Sequence, residues 1–492
     1  MLEVTSCQGF DGFNINQKTQ NKRSLQVRLR KQDFSQRINS DLKIEFAQQD
    51  LSSFSGLELF RRYFSLIRLH SRIRRSFAGY DMNGDYTAVH LILIFIALWL
   101  TGGRRLRHIP FISEDPLVQR LCGLKSLPSD RTVSRWLGQF TNDALQALIT
   151  LNSEIVTEKL QAMSLARVTL DFDGTVLSCG DRVKWAARGY NPHNRHSKSL
   201  YPLLCHVAQT GHFLRVHNRP GDVHDSKAAL QIIKASVEQI RKSLPGVVIE
   251  LRLDSAFFQE DIIKYLLREK IEFAMKVPMW KWLYLKELIM LRQRWTPVTN
   301  KLSSFETLVP IESWGIDLPM TFYREKLSET PKLGHQLDFF TPDDGYYEHS
   351  VILSNKKLSS ENLLDFYNGR ANMEHDIAEI KGEFGFDVIP CRDYQGNGAH
   401  QQISTLAYNL VRNFQMEVMS PKQRQRSSSR TSIFEFSSLK TIRFEMITAA
   451  GRLLNISGIK TLRLSQSTVR RKLFEKVESE LDQIESRQKR VA

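Results

Sequence analysis

RVTLDFDGTVL, residues 167–177, decides the fold. Apolar Val168, Leu170 and Phe172 alternate with Thr169, Asp171 and Asp173, the period-two pattern of a strand. The residues C-terminal to it fix the class. LYPLLCHVAQTGHFLRVHNRPG (200–221) reads as a strand, a turn around Gln209-Thr210-Gly211-His212, and a second strand. Residues 226–244 read as a helix. GVVIELRLDSAFF (246–258) reads as a strand ending in Asp254, DIIKYLLREK (261–270) as a helix and IEFAMKVP (271–278) as a strand. Three consecutive strands, then helix, strand, helix and strand, predict an α/β fold with an antiparallel start: a mixed sheet flanked by helices.

Outward from this core the texture changes. Residues 46–160 read as helical. AVHLILIFIALWL (88–100) is 13 residues long, too short to span a bilayer, and reads as a buried core helix. LPSDRTVSRWLGQF (127–140) offers Ser129 as N-cap, with Val133, Trp136, Leu137 and Phe140 at helical spacing. PLVQRLCGL precedes it, so the pair fits a helix-turn-helix, although plain helix packing explains the same pattern. Residues 1–45 are polar; from Asn14 to Ser40 they carry seven Lys or Arg against Asp33 alone, as expected of a flexible basic arm. Residues 279–346 break the α/β alternation. They hold four tryptophans and β-type runs and read as a β-rich insertion, with a turn at Pro342-Asp343-Asp344-Gly345. Strand and helix resume over 347–420. SPKQRQRSSSR (420–430) is a basic linker, and 421–492 is expected to be a helical C-terminal region.

The chain has 492 residues, and Lys plus Arg exceed Asp plus Glu by 16. Such an excess fits a polyanion partner, because neutralising phosphates releases counterions. Five scattered cysteines without a CxxC pair argue against a disulfide framework or a zinc ribbon and fit a reducing compartment. No signal-peptide order is present at the N-terminus. The expectation is a soluble, cytoplasmic, nucleoid-associated protein with no membrane partner.

DFYNGRANMEHDIAEIKGEFGFD (365–387) carries the chemistry. A helix turns about 100° per residue, so Tyr367, Arg370, Glu374 and Lys381 fall within an arc of roughly 60°. Phe366, Met373, Ile377, Ile380 and Phe384 form an apolar stripe beside it. Asn372, His375, Asp376, Glu379 and Glu383 are expected to face water. Asp173 and Asp254, at strand ends, can approach each other, and close like charges need a cation between them or a proton. With Glu374 they make an all-oxygen set that suits Mg²⁺, with Mn²⁺ as substitute, rather than zinc. Two such ions roughly 4 Å apart activate a water or 3′-hydroxyl at a phosphodiester. Arg370 and Lys381 would then meet phosphates and Tyr367 would stack on or hydrogen-bond DNA. Taken singly, these residues also fit a strand-end cap, a turn and an ordinary i,i+4 ion pair.

Tyr367, Arg370, Glu374 and Lys381 resemble the Y-x₂-R-x₃-E-x₆-K signature of the DDE transposases of bacterial insertion sequences. DFDGTVL resembles their first-Asp motif and LRLDSAFF their second. RGYNPHNRHSKSLYPLL (188–204) and RPGDVHDS (219–226) resemble motifs of one subgroup. The likeness covers roughly residues 50–470. It implies an RNase H-like core in two parts, 161–278 and 347–420, interrupted by the β insertion. It implies DNA-end binding by 46–160 and cut-and-paste transposition on divalent ions by Asp173, Asp254 and Glu374. Partners would be terminal inverted repeats and target DNA, with a homodimer in the synaptic complex. Two departures stand out. Both Asp171 and Asp173 are present, of which Asp173 directly precedes Gly-Thr, and Asp222 stands where related sequences tend to have Asn.

Further DNA contacts are expected from Arg182, Lys184, Arg188, Arg195 and Lys198 between the first two strands. A base strained or flipped at the cut needs a stacking platform. Trp295 and Trp314, set among polar residues and prolines, are the candidates, whereas Trp280 and Trp282 continue out of a core strand. Two other readings compete. LDFDGTVL also resembles haloacid-dehalogenase-type phosphatases, with Asp171 as nucleophile and Asp173 as acid–base. That fold needs a helix after the first strand, where a hairpin is expected here. A transposase-derived DNA-binding protein without catalysis would keep the charge and lose a carboxylate; all three are present.

Overall fold

The alternating stretch around Asp171 forms β1 (Arg167–Gly174), and the strand pair after it forms β2 (Leu203–Val207) and β3 (His212–His217). Both joins are antiparallel. Helix α1 (Ala229–Ser243) crosses to β4 (Val248–Leu253), and α2 (Glu260–Arg268) crosses to β5 (Glu272–Lys276). β4 lies parallel to β1, and β5 parallel to β4. The expected antiparallel start, with parallel strands after it, is therefore the observed topology. The structure, a computed structural model, describes residues 44–45, 50–80, 82, 84–189, 191, 194, 196–223, 228–326, 347–424 and 432–491. Residues 1–43 of the basic arm, Arg195, the turn at 342–345 and most of the Ser-rich linker lie outside the described residues.

The insertion does not stand apart from this sheet. Its strands β6 (Thr296–Pro297), β7 (Leu302–Ile311) and β8 (Ile316–Lys326) join it through β9 (Tyr347–Ser354), which pairs antiparallel with β5. Among the described residues the sheet has nine strands, in the order β3-β2-β1-β4-β5-β9-β8-β7-β6.

Apolar cores cover both faces of the sheet. Val168, Leu170 and Phe172 of β1 point into the first, with Ile233 and Val237 of α1 and Ile262 and Leu266 of α2. The opposite face packs on α3 (Ser360–Asn368), α4 (Ala371–Phe384) and α5 (Tyr394–Phe414). Met373, Ile377 and Ile380 of α4 share a second core with Ile403 and Leu406 of α5 and the N-terminal helices. Residues 88–100 form one of those helices and are buried along almost their whole length, as the apolar run predicts. C-terminal Leu439, Phe474 and Leu481 close the same core. Chain ends distant in sequence thus bury surface together, the largest stabilising contribution available to them.

α5 is buried throughout yet rich in amides. Their role is local. β3 is an edge strand, and the Asn409 side chain both donates to the Phe213 carbonyl (2.9 Å) and accepts from the Phe213 amide (3.0 Å). Gln402 Nε2 donates to the Val216 carbonyl at 2.7 Å. Side-chain amides here do what another strand would do for exposed backbone groups.

Two expectations are corrected. Residues 365–387 are not one helix: α3 ends at Asn368, and Gly369 and Arg370 intervene before α4. The C-terminal region is not all helical either. Gly451–Ile456 and Ile459–Leu464 form an antiparallel hairpin that also pairs with Leu51–Ser52. Its two-residue turn, Ser457-Gly458, has φ of +52° and +81°, the left-handed pair that suits right-twisted strands.

Candidate active site

Because β1 and β4 are parallel neighbours with Asp171 opposite Arg252, the two strands end together. Asp173 sits at the end of β1 and Asp254 directly after β4. Burial of Val168, Leu170 and Phe172 on one face obliges Asp171 and Asp173 to the other, toward α3 and α4. Asp254 also caps the short 3₁₀ turn Ser255–Phe257, accepting from the Ala256 amide at 2.9 Å.

Helix α4 brings the third carboxylate, and Arg370 ties the set together. Its Nη2 lies 3.0 Å from Asp173 Oδ1 and 3.5 Å from Asp254 Oδ2, and its Nη1 lies 3.9 Å from Glu374 Oε1. Nη2 also donates to the Phe172 carbonyl at 3.3 Å. Arg370 is nearly buried, with 11% of its side chain exposed, whereas Glu374 keeps 66%. Burial opposes the charge on Arg370, but Asp173 and Asp254 outweigh it and raise its pKa. Lys381 Nζ donates to the Val176 carbonyl at 3.2 Å. Burial lowers the Lys381 pKa, against the pull of Asp387 and Asp173. Burial pushes the Tyr367 hydroxyl up to about 12. So the polar seam faces the end of β1, and both of its basic residues dock on that segment's carbonyls.

The expected basic loop leaves the end of β1 and returns at the start of β2. Its flanks, Leu177–Ser178 and Ser199–Leu200, pair as a two-stranded ribbon. Arg182 and Arg188 are exposed. Lys184 pairs with Asp393 at 3.2 Å, and Lys198 donates to the Asp181 carbonyl. The tryptophans are arranged differently from expectation. Trp295 packs edge-on against Phe305 (4.7 Å between centroids) under the Arg324 guanidinium, and Trp314 packs on Phe258 and Trp282. Both are part-buried against the first core. Trp280 and Trp282 stack on each other at the surface, each 43% exposed.

Behind the carboxylates runs a buried polar chain that sequence reasoning missed. Arg252 holds Asp171 with two short hydrogen bonds and donates a third to the Phe366 carbonyl. His206 of β2 lies between Asp171 (3.4 Å) and Asp376 of α4 (2.8 Å). Arg412 of α5 binds Asp376 at 2.8 Å and Glu379 at 2.7 Å, and Arg443 binds Glu383. The expectation that Asp376, Glu379 and Glu383 face water is therefore wrong. Their partners lie on α5 and the C-terminal segment and cover that side of α4. One signal was present in the sequence: Arg412 interrupts the apolar pattern of LAYNLVRNF, and a buried arginine needs carboxylates.

Asp173, Asp254 and Glu374 offer oxygen donors only, the chemistry of a hard divalent ion. As they stand, all three reach toward one guanidinium. Among the described residues no three acidic, His or Cys side chains converge closely enough to hold an ion. The donor set fits Mg²⁺ or Mn²⁺ in kind, with Arg370 lying between its members.

No helix among the described residues is long and apolar enough to cross a membrane. The profile of the family described as transposase DDE domain group 1 matches residues 34–486. No curated protein matches the chain. Among solved structures, the piggyBac transposase in its synaptic complex with hairpin DNA is similar over 89% of this chain and 88% of that one, at 12% identity and a TM-score of 0.41.

Proposed function

The chain belongs to the transposase DDE domain group 1 family, and from that premise we propose that it excises and inserts its own insertion sequence by cut-and-paste transposition. The observation that carries this reading is the meeting of Asp173, Asp254 and Glu374, from two strand ends and a helix, around one guanidinium. These three carboxylates would hold two Mg²⁺ ions, with Mn²⁺ as substitute. Bound there, the ions supply an activated water or 3′-hydroxyl and charge stabilisation on the leaving oxygen.

The protein's own residues do the rest. The parallel β1–β4 pair fixes two carboxylates on hydrogen-bonded strands, the rigid mounting that catalysis by positioning requires. Exposed Arg182 and Arg188 offer positive charge to a DNA backbone, joined by Lys184 and Lys198 when released from Asp393 and the loop carbonyl. Tyr367, Arg370 and Lys381 line the wall beneath the phosphates. The partners are terminal inverted repeats and then target DNA, bound by a homodimer, in the nucleoid-associated cytoplasm. Asp171, the nucleophile of the phosphatase reading, has no exposed surface and is clasped by Arg252.

The test is strand cleavage and end binding by Asp173→Asn, Asp254→Asn and Glu374→Gln. Losing an ion removes several kcal/mol of transition-state stabilisation, so cleavage should fall on the order of a thousandfold. End binding should stay near wild type, since ligand oxygens serve chemistry rather than affinity. Substantial cleavage by any one variant removes that residue from the role. A wild type that binds ends but never cleaves them with Mg²⁺ or Mn²⁺ indicates a DNA-binding protein instead.

A further inference from the structure

The two arginines at this end of the sheet are held in opposite ways. Arg252 meets Asp171 as a fork, Nε at 2.6 Å and Nη2 at 2.7 Å, the tight bidentate geometry of a permanent pair. Arg370 makes no such fork. Its Nη2 is shared among Asp173, Asp254 and the Phe172 carbonyl at 3.0 to 3.5 Å, three acceptors for two hydrogens. Its Nε is buried without a hydrogen-bond partner among the described residues. A buried unsatisfied donor is costly, so this arrangement is a compromise rather than an optimum. Arg370 also stands at the N-cap of α4, directly after Gly369, in the break between α3 and α4.

We infer that Arg370 is a built-in counter-cation for the carboxylate set: it neutralises Asp173 and Asp254, competes with the divalent ions for the same oxygens, and is displaced when they bind. Close carboxylates repel unless a cation lies between them. The guanidinium supplies that cation and keeps the site folded and closed to adventitious metal. Displaced, it remains within a side chain's reach of the same end of the sheet, where a DNA phosphate is its natural next acceptor. The inference rests on reading Asp173, Asp254 and Glu374 as the ion-binding residues.

The experiment is titration of the full-length protein with Mn²⁺ alone, without DNA, following free Mn²⁺ by its paramagnetic resonance signal. Wild type, Arg370→Gln, Arg370→Lys and Asp173→Asn are compared, with circular dichroism confirming their folds. Removing a competing charge should tighten Mn²⁺ binding by Arg370→Gln on the order of tenfold, about 1.4 kcal/mol. Arg370→Lys should tighten it less, because one ammonium cannot span the same acceptors. Asp173→Asn should weaken binding. If Arg370→Gln and Arg370→Lys bind no more tightly than wild type while Asp173→Asn loses the ions, the competition is refuted and the carboxylate reading stands. If Asp173→Asn binds like wild type, both fall. Should Arg370→Gln fail to fold, Arg370→Lys decides alone: tightening supports the competition and its absence overturns it.

Discussion

Arg252 lies directly across the β1–β4 ladder from Asp171 and closes on it with two hydrogen bonds, neither side chain exposed to solvent. Burial opposes ionisation of Asp171, but the Arg252 charge and the bonds from His206 and Arg252 hold its pKa below the ordinary carboxylate value. The aspartate that the sequence presents beside the catalytic candidate is thus a strut. It ties β1 to β4 and, through the Arg252 bond to the Phe366 carbonyl, to the end of α3.

Asp171→Asn should therefore lower stability by about 3–5 kcal/mol, because it leaves the Arg252 charge buried without compensation. Chemical denaturation measures this. The double change Asp171→Leu with Arg252→Met should cost markedly less, since it removes both charges. Equal losses from the single and double changes would show that the pair is not what holds the strands. No small phosphate ester should be hydrolysed by the wild type.

His206 predicts a pH dependence. It faces Asp171 of β1 and Asp376 of α4, and behind these stand Arg252 of β4 and Arg412 of α5. Burial works against its charge, yet the hydrogen bonds to Asp171 and Asp376 leave its pKa above the ordinary 6.5. The folded state then holds the proton more tightly than the unfolded chain. Its stabilisation is complete below 6.5 and fades as pH rises through the higher folded value. Asp171 and Asp376 move the other way, so their share disappears only in acid, below 3.8. The unfolding free energies of wild type and His206→Gln, compared from about pH 5 to pH 9, should differ most at the low end. Every tenfold preference of the folded state for the proton adds about 1.4 kcal/mol to the difference that is lost on the way up. A gap that stays flat or widens with pH means His206 is neutral in the fold.

The tryptophans of the insertion separate by burial. Trp295→Ala and Trp314→Ala should each cost about 3 kcal/mol, the scale of losing a packed aromatic ring. Trp280→Ala and Trp282→Ala should each cost under about 1 kcal/mol, as exposed positions do. If Trp295 or Trp314 stacks on a base at the cut, its variant slows strand processing beyond this stability loss, and an abasic nucleotide restores part of the rate. If processing tracks melting temperature alone, the two rings are packing. The same assays on Trp280→Ala and Trp282→Ala ask whether the exposed pair is the platform.

Much of the architecture was legible because local pattern and burial agree. Alternation in VTLDFD marked β1 and its buried face, the 13-residue apolar run marked a core helix, and Ser129 does cap the helix Asp130–Leu137, accepting from the Thr132 amide. The spacing of Tyr367, Arg370, Glu374 and Lys381 put Arg370 and Lys381 on one side, and both dock on carbonyls at the end of β1, although the helix breaks at Gly369. The features that stayed hidden depend on partners far along the chain. Asp376 and Glu379 read as solvated because nothing nearby tells that Arg412 will cover them. The insertion read as separate because strand register across β5 and β9 is set by tertiary pairing. The C-terminal hairpin had a local signal, Ser457-Gly458 between β-branched residues, which a helical reading of the surroundings overrode.

The amides of α5 have one more consequence, for solubility. A sheet of nine strands ends in two rows of backbone groups, and such rows template fibrils and unwanted oligomers. Asn409 and Gln402 occupy the row along β3, while the far border, β6, is only two residues long and includes Pro297, which has no amide hydrogen to offer. The border that these amides cover is thereby closed to the strand of another copy.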